Sequence, residues 1–436
     1  MGDRSKRILV NILVIAGILI AYIHQMSPSP FLPVLRDAYQ IIDNDAFLNL
    51  SVSIMYPFLI IASIFGGVIE ANIGLWKLFI LSMALMLTGI ALYFISTPSY
   101  FYFLMGRALF ATGMGLSIPF FGAYIMQYFY GRKREIMNML NALFPFIGTL
   151  ISFASFPLLY NLFKKSWEMA LGVWSLTIVA VLIIWLLCVH SSDFISDPLP
   201  IADYTEMPET GPEKRIYHNL LRRRDLILLT VIFMVDFFCY SYIAVILPTL
   251  LMEAANWTET VAGFWSALAF PGIGIVGCII GGALGSGTGK RKFVLIMGML
   301  LESIGIFIAA IGGMVRFDYI LIGIALFGLG NGLWLPMMYN IPMELKDMNP
   351  SRVGAAFSMI SAAGFICGFI SPAIGGWLTD FLSVRSIVID LTLRHVQSLN
   401  WSLFVFGFIT FIGVICAFLI SETGPGKSVA VRAQVV

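Results

Sequence analysis

Charge is scarce in this sequence. Asp, Glu, Lys and Arg make up 11% of its 436 residues, while 59% are hydrophobic; an ordinary soluble domain is about a quarter charged. A chain this poor in polar material cannot cover a water-soluble globule of its size. The net charge is +2 and no basic stripe is interleaved with aromatics, so nucleic acid is excluded as a partner. Metal and redox chemistry lack their residues too. The four histidines, His24, His190, His218 and His395, are dispersed and form no ligand spacing. The five cysteines lie in apolar stretches with no CxxC pair, and they read as packing residues. Gly285-Ser-Gly-Thr-Gly289-Lys290-Arg291 lacks the upstream glycine and the following Ser or Thr of a phosphate loop. With no nucleophile–base constellation either, neither an enzyme nor a bound cofactor is expected.

Long hydrophobic runs are what the chain has. A helix needs about 20 apolar residues to cross a bilayer, and runs of that length recur at 8–31, 47–70, 76–97, 100–129, 136–162, 168–190, 226–251, 260–285, 293–315, 318–343, 353–382 and 401–421. The first follows Arg4, Lys6 and Arg7 but precedes no small-residue cleavage site, so it reads as a retained helix. The polar stretch between the sixth and seventh runs carries four prolines and the basic groups Lys214-Arg215 and Arg222-Arg223-Arg224. The expected plan is an all-α membrane protein of twelve transmembrane helices: a six-helix bundle over 1–190, a cytoplasmic linker over 191–225 and a second six-helix bundle over 226–436.

Cytoplasmic loops are enriched in Lys and Arg. With both termini on one side, 19 of the 26 basic residues fall on that side and six on the other, with Arg107 left inside a helix. Both termini are therefore predicted to be cytoplasmic, with the cell membrane as the expected location.

The two halves repeat. Leu104 to Pro119 lies over Leu321 to Pro336 at an offset of 217, aligning Gly106, Ala108, Leu109, Phe110, Gly113, Gly115 and Leu116 with Gly323, Ala325, Leu326, Phe327, Gly330, Gly332 and Leu333. Gly67 and Gly74 match Gly282 and Gly289 at an offset of 215, as Leu32-Pro33 matches Leu247-Pro248. Glycine-rich helices resemble one another to some degree because small residues pack closely in lipid, but three matches at nearly one offset point to duplication. Two six-helix halves in parallel repeat are a plan for rocking two bundles about a site near the bilayer midplane.

The loop Gly282-Ala-Leu-Gly-Ser286-Gly-Thr-Gly289-Lys290-Arg291-Lys292 and the segment around Gly106-Arg107 resemble signature segments of the major facilitator superfamily, and the resemblance extends over the whole length. Tyr22 to Pro28 and Ser371 to Asp380 are similar to segments of its prokaryotic metabolite and organic-anion carriers. The resemblance implies a transporter working by alternating access, with gate loops at Gly67, Glu70 and Gly74 and at Gly282, Gly289, Lys290 and Arg291. The chain departs from the family loop where an aspartate and a basic residue are usual: Ala71-Asn72 and Ser286-Gly287 stand there, with Glu70 one position away.

An ionisable group at membrane depth is costly and is read as functional by default. Arg107 is the first such group: it would hold an anionic substrate or a partner carboxylate, or else snorkel to a surface. Asp236 would carry a coupling proton, pair with Arg107, or make an ordinary interhelical hydrogen bond. Glu302 is equally deep on a helix that the resemblance makes peripheral, and coupling or a structural contact are both open. His24, Gln25, Tyr240, Asn331 and Trp334 add polar and aromatic groups on helices expected to line the path. These features predict a monomeric, proton-coupled carrier of a small organic anion or similar metabolite. A carrier of a neutral or cationic solute, drug efflux included, with Asp236 as charge partner is the alternative; a non-transporting receptor or scaffold is remote, since no large soluble domain exists to relay a signal.

Overall fold

The computed structural model describes residues 3–41, 44–95, 99–129, 131–191, 219–346, 348, 350–386, 388 and 390–424. Most of the expected linker, 192–218, falls outside them. The regular structure among the described residues is all helical, and twelve segments are long and apolar enough to cross a membrane, as the hydrophobic runs predicted.

Helix α1 (Asp3–Gln25) stops before Pro28 and Pro30, which lack backbone N–H groups to continue it. A short 3₁₀ turn, Ser29–Phe31, then leads into α2 (Leu32–Ala38). Next come α3 (Asp45–Ser53) and α4 (Met55–Ala91), the latter carrying parts of two spans. Its direction changes at Gly74, with φ 80° and ψ 163°, a conformation open to residues without a Cβ. Four helices follow: α5 (Tyr100–Tyr128), α6 (Gly131–Leu162), α7 (Trp167–Gly172) and α8 (Ser175–Cys188). Beyond the linker lie α9 (Arg224–Ala255), α10 (Glu259–Ala267), α11 (Ile273–Thr288), α12 (Arg291–Phe307), α13 (Asp318–Glu344), α14 (Pro350–Arg385) and α15 (Leu391–Leu419). Leu268–Gly272 and Ile308–Gly312 are π-helical turns extending α10 and α12.

Packing divides the chain into two compact units: unit 1 is Met1–Ile42 with Leu50–Thr210, and unit 2 is Asp43–Asn49 with Gly211–Val436. In unit 1, α4 lies along α5 with glycines at the contact; a Cβ on Gly113 would sit 2.5 Å from Ser82 O, and one on Gly89 2.6 Å from Gly106 O. In unit 2, α13 runs along α12 in the same manner, with Gly330 against Gly298 O and Gly305 against Gly323 O at 2.5 Å each. Apolar attraction between helices is weak in lipid, so such small-residue contacts supply much of the association. The sequence repeat is therefore a repeat of packing. It extends to the loops: Gly74 and Gly289 are the two glycines of positive φ among the described residues, and they stand at matched positions.

Candidate functional site

Each unit buries a polar cluster around ionisable side chains. In unit 1 it centres on Arg107, in the second turn of α5 and fully buried. Its guanidinium does not snorkel. Nε donates to Ser51 O at 2.8 Å, Nη1 to His24 O at 2.7 Å and Nη2 to Gln25 O at 2.5 Å, while Ser27 Oγ and Tyr93 OH lie 3.4 and 3.5 Å from Nη1. The last carbonyls of α1 are orphaned because the helix stops at Gln25, and Arg107 satisfies two of them. Its partners are all uncharged. The hydrogen bonds are met, and no carboxylate meets the guanidinium among the described residues.

His24 is held by the same interactions. Its carbonyl also accepts from Ser27 Oγ at 2.8 Å, and its ring lies 5.2 Å from Phe110 and 5.7 Å from Phe156 between ring centroids. Both imidazole nitrogens are buried without a hydrogen-bond partner. Arg107 thus fixes a peptide whose side chain presents one donor and one acceptor with nothing to meet them. Gln25 is buried beside it.

The cluster of unit 2 is acidic. Asn331 Nδ2 on α13 donates to Asp236 Oδ1 on α9 at 2.5 Å, and Trp334 Nε1, one turn further along α13, donates to Glu302 Oε1 on α12 at 2.6 Å. The two carboxyls are close neighbours. Asp236 is 2% exposed and Glu302 fully buried, and Glu302 Oε2 has no hydrogen-bond partner. Tyr240, one turn beyond Asp236, stacks on Phe237 at 5.6 Å and lies 5.1 Å from Phe270. The structure thereby gathers Asp236, Asn331, Trp334 and Glu302, which the sequence could nominate singly; Glu302 reaches them from a helix whose other face, at Phe293, Met297 and Ile304, is exposed.

At the gate loops, Gly67 and the Glu70 side chain lie outside the described residues. Gly289 caps α11 with φ 62°, a Cβ on Gly282 would meet open space, and the Lys290 amide donates to Thr288 Oγ1 at 3.2 Å. Arg291 grips Glu344 through Nε, which donates to Oε1 at 2.9 Å and Oε2 at 3.2 Å, and through Nη2, which donates to Oε1 at 2.7 Å. Glu422 accepts the Arg291 and Lys292 amides at 2.8 and 3.2 Å. These bonds tie the start of α12 to the ends of α13 and α15.

A third set was not anticipated. Asp45, Glu253, Asp380 and His395 converge at the opposite end of unit 2. Each stands near a span boundary, where a charged residue reads as an ordinary helix end. Among the described residues no group of His, Cys, Asp and Glu has a metal-binding arrangement.

The family model of the Major Facilitator Superfamily matches residues 14–346 and 229–435. The chain belongs to the major facilitator superfamily. It is accordingly a secondary transporter, from a family that is generally non-enzymatic. Solved facilitator structures share its fold over nearly the full length. A bacterial homologue of the human lysosomal transporter Spinster, inward-facing and unoccupied, superimposes with a TM-score of 0.76 at 13% identity, covering 96% of this chain and 98% of that one. A D-xylose–proton symporter gives 0.67 at 15% and a bacterial homologue of the human peptide transporters PepT1 and PepT2 gives 0.66 at 16%, each with the same coverage. At these identities the likeness is one of fold alone. No curated protein matches this facilitator in sequence.

Proposed function

We propose that this facilitator carries a small organic anion by alternating access, coupled to proton movement. The observation that carries the reading is the burial of ionisable groups of opposite kind, Arg107 in unit 1 and the Asp236–Glu302 pair in unit 2, each hydrogen-bonded to uncharged partners. A buried charge is retained at considerable cost unless something neutralises it. For Arg107 and the unpartnered His24 ring, an anionic group with hydrogen-bonding oxygens is the matching chemistry. For two adjacent acids without a cation, a proton held by one member is the matching neutraliser. In this reading Arg107, His24, Gln25, Tyr240, Asn331 and Trp334 are the candidate substrate residues, and Asp236 with Glu302 carries the coupling proton.

The alternative, a neutral or cationic solute with Asp236 as its charge partner, is favoured by the way Arg107 directs its donors at carbonyls. Both termini are placed on the cytoplasmic side of the cell membrane, and the unit of function is taken as a monomer. The deciding experiment is uptake into proteoliposomes of labelled organic anions, sugars and amines, with and without an inward proton gradient, for wild type, Arg107→Lys and Asp236→Asn. Gradient-driven anion uptake that is lost in both variants is the expected result. Uptake of a neutral or cationic solute that survives in Arg107→Lys would overturn the anion reading, and gradient-independent transport in wild type would overturn the coupling.

A further inference from the structure

The four residues at the far end of unit 2 form a site with its own chemistry. His395, in the second turn of α15, directs Nδ1 at Glu253 Oε2 of α9, 2.5 Å away, and Nε2 at Asp45 Oδ2 of α3, 2.7 Å away. Carboxylate oxygens accept and do not donate, so both contacts are hydrogen bonds only when both ring nitrogens carry hydrogen. A neutral imidazole has one N–H; its other nitrogen would turn a lone pair toward an oxygen anion. The arrangement is therefore built around a bound proton.

The site also fastens a piece of chain. Asp380 of α14 accepts the Asp45 amide at 3.1 and 3.4 Å, setting a carboxylate at the N-terminus of α3. Asn49 Nδ2 donates to Pro372 O at 3.0 Å, and a Cβ on Gly376 would lie 2.5 Å from the Ala46 amide. This segment is grouped with unit 2, while Leu50–Thr210 belongs to unit 1. The groups facing the imidazole are Glu253 from α9 and Asp45 from α3, with Asp380 from α14 behind Asp45. The nearby Tyr242 hydroxyl is engaged with Thr379 Oγ1 at 3.1 Å, and Arg394 on the same helix as His395 directs Nε to Val388 O at 2.7 Å. The His395 side chain is 19% exposed, which leaves the proton a path to water.

We propose that His395, between Asp45 and Glu253, is a proton-binding site separate from the Asp236–Glu302 pair, and that its proton holds the segment 44–49 onto the rest of unit 2. When the proton leaves to solvent, one of the two charge-assisted bonds becomes a repulsion and the segment loosens from α9, α14 and α15.

The test needs no knowledge of the solute. Amide hydrogen exchange of the peptide covering 43–49 is measured on the purified full chain in lipid nanodiscs, from about pH 6 to about pH 10 and corrected for intrinsic exchange. Wild type is expected to lose about tenfold or more of its protection as pH rises, since a lost charge-assisted bond is a loss of that order. Two variants separate the proton from mere packing. His395→Gln is expected to show weak protection independent of pH. Glu253→Gln is expected to keep its protection at high pH, because the glutamine amide donates to Nδ1 and a neutral imidazole then satisfies both partners. Protection in wild type that stays constant across the series overturns the proposal, as does a fall of equal size in Glu253→Gln; should His395→Gln not fold, those two results still decide it.

Discussion

Where unit 2 sets Glu302 beside Gly330, unit 1 sets Met86 beside Gly113, and where unit 1 buries Arg107, unit 2 buries Ile324. The correspondence continues around both clusters: Asp236, Asn331 and Trp334 stand opposite Ala21, Met114 and Ser117, and His24 opposite Cys239. Glycine contacts between the paired helices are common to both halves, whereas the charged groups occur once each and with opposite sign. Backbone approach in lipid depends on small side chains and is indifferent to what the other helix faces carry. The duplicated scaffold could be retained while each copy acquired its own ionisable group.

The comparison breaks most sharply at Arg107. Replacing it with methionine leaves the carbonyls of His24, Gln25 and Ser51 buried without donors, and a loss of about 3–5 kcal/mol is expected. Ile324→Met, the matched change in unit 2, should cost under about 1.5 kcal/mol. Thermal unfolding of the two variants in the same detergent checks this, and comparable losses would mean that Arg107 contributes no more than packing. A smaller effect tests the shared scaffold. Gly113→Ala and Gly330→Ala each set a Cβ 2.5 Å from a backbone oxygen, and each should destabilise by about 1–3 kcal/mol. Unequal losses would show that one helix pair can yield where the other cannot.

Glu302→Met gives unit 2 the residue that unit 1 already has. Trp334 Nε1 loses its acceptor, at a cost of about 1–3 kcal/mol that removal of a buried acid partly offsets. A net change within about 1 kcal/mol is expected together with loss of gradient-driven uptake, read by unfolding and transport on the same preparation; retained coupling would place the proton elsewhere. The smallest effect is at the edge of unit 2. Arg291→Lys replaces the three hydrogen bonds to Glu344 with a point charge in a partly exposed pair, and about 0.5–1 kcal/mol is expected from chemical unfolding.

The spans and the repeat were legible in the sequence because both rest on composition and spacing, which a linear string displays directly. Arg107 and Asp236 were legible as ionisable groups out of place. Their surroundings were not. Arg107 ends on backbone carbonyls, which carry no residue signature, and its Ser51 partner lies 56 positions away. Glu302 was open between coupling and structure because its neighbour Asp236 is on another helix. Asp45 and His395 are 350 residues apart, each in a place where a polar residue calls for no comment. Helix faces can be read from periodicity, whereas the partner of a face is fixed by which helices pack together.

The π turn at Ile308–Gly312 bears on how the two halves diverged. Gly89 and Gly305 are 216 positions apart, as are Met86 and Glu302, whereas Gly106 and Gly323 are 217 apart. One residue was thus gained or lost between Gly305 and Gly323, and that interval contains the π turn. A π turn takes up a single inserted residue as a local widening of the helix, leaving the residues on either side in register with their neighbours. The one-residue difference falls in an interval that holds this turn and the connection to α13, and the contact between Gly305 and Gly323 on its two flanks still matches that between Gly89 and Gly106.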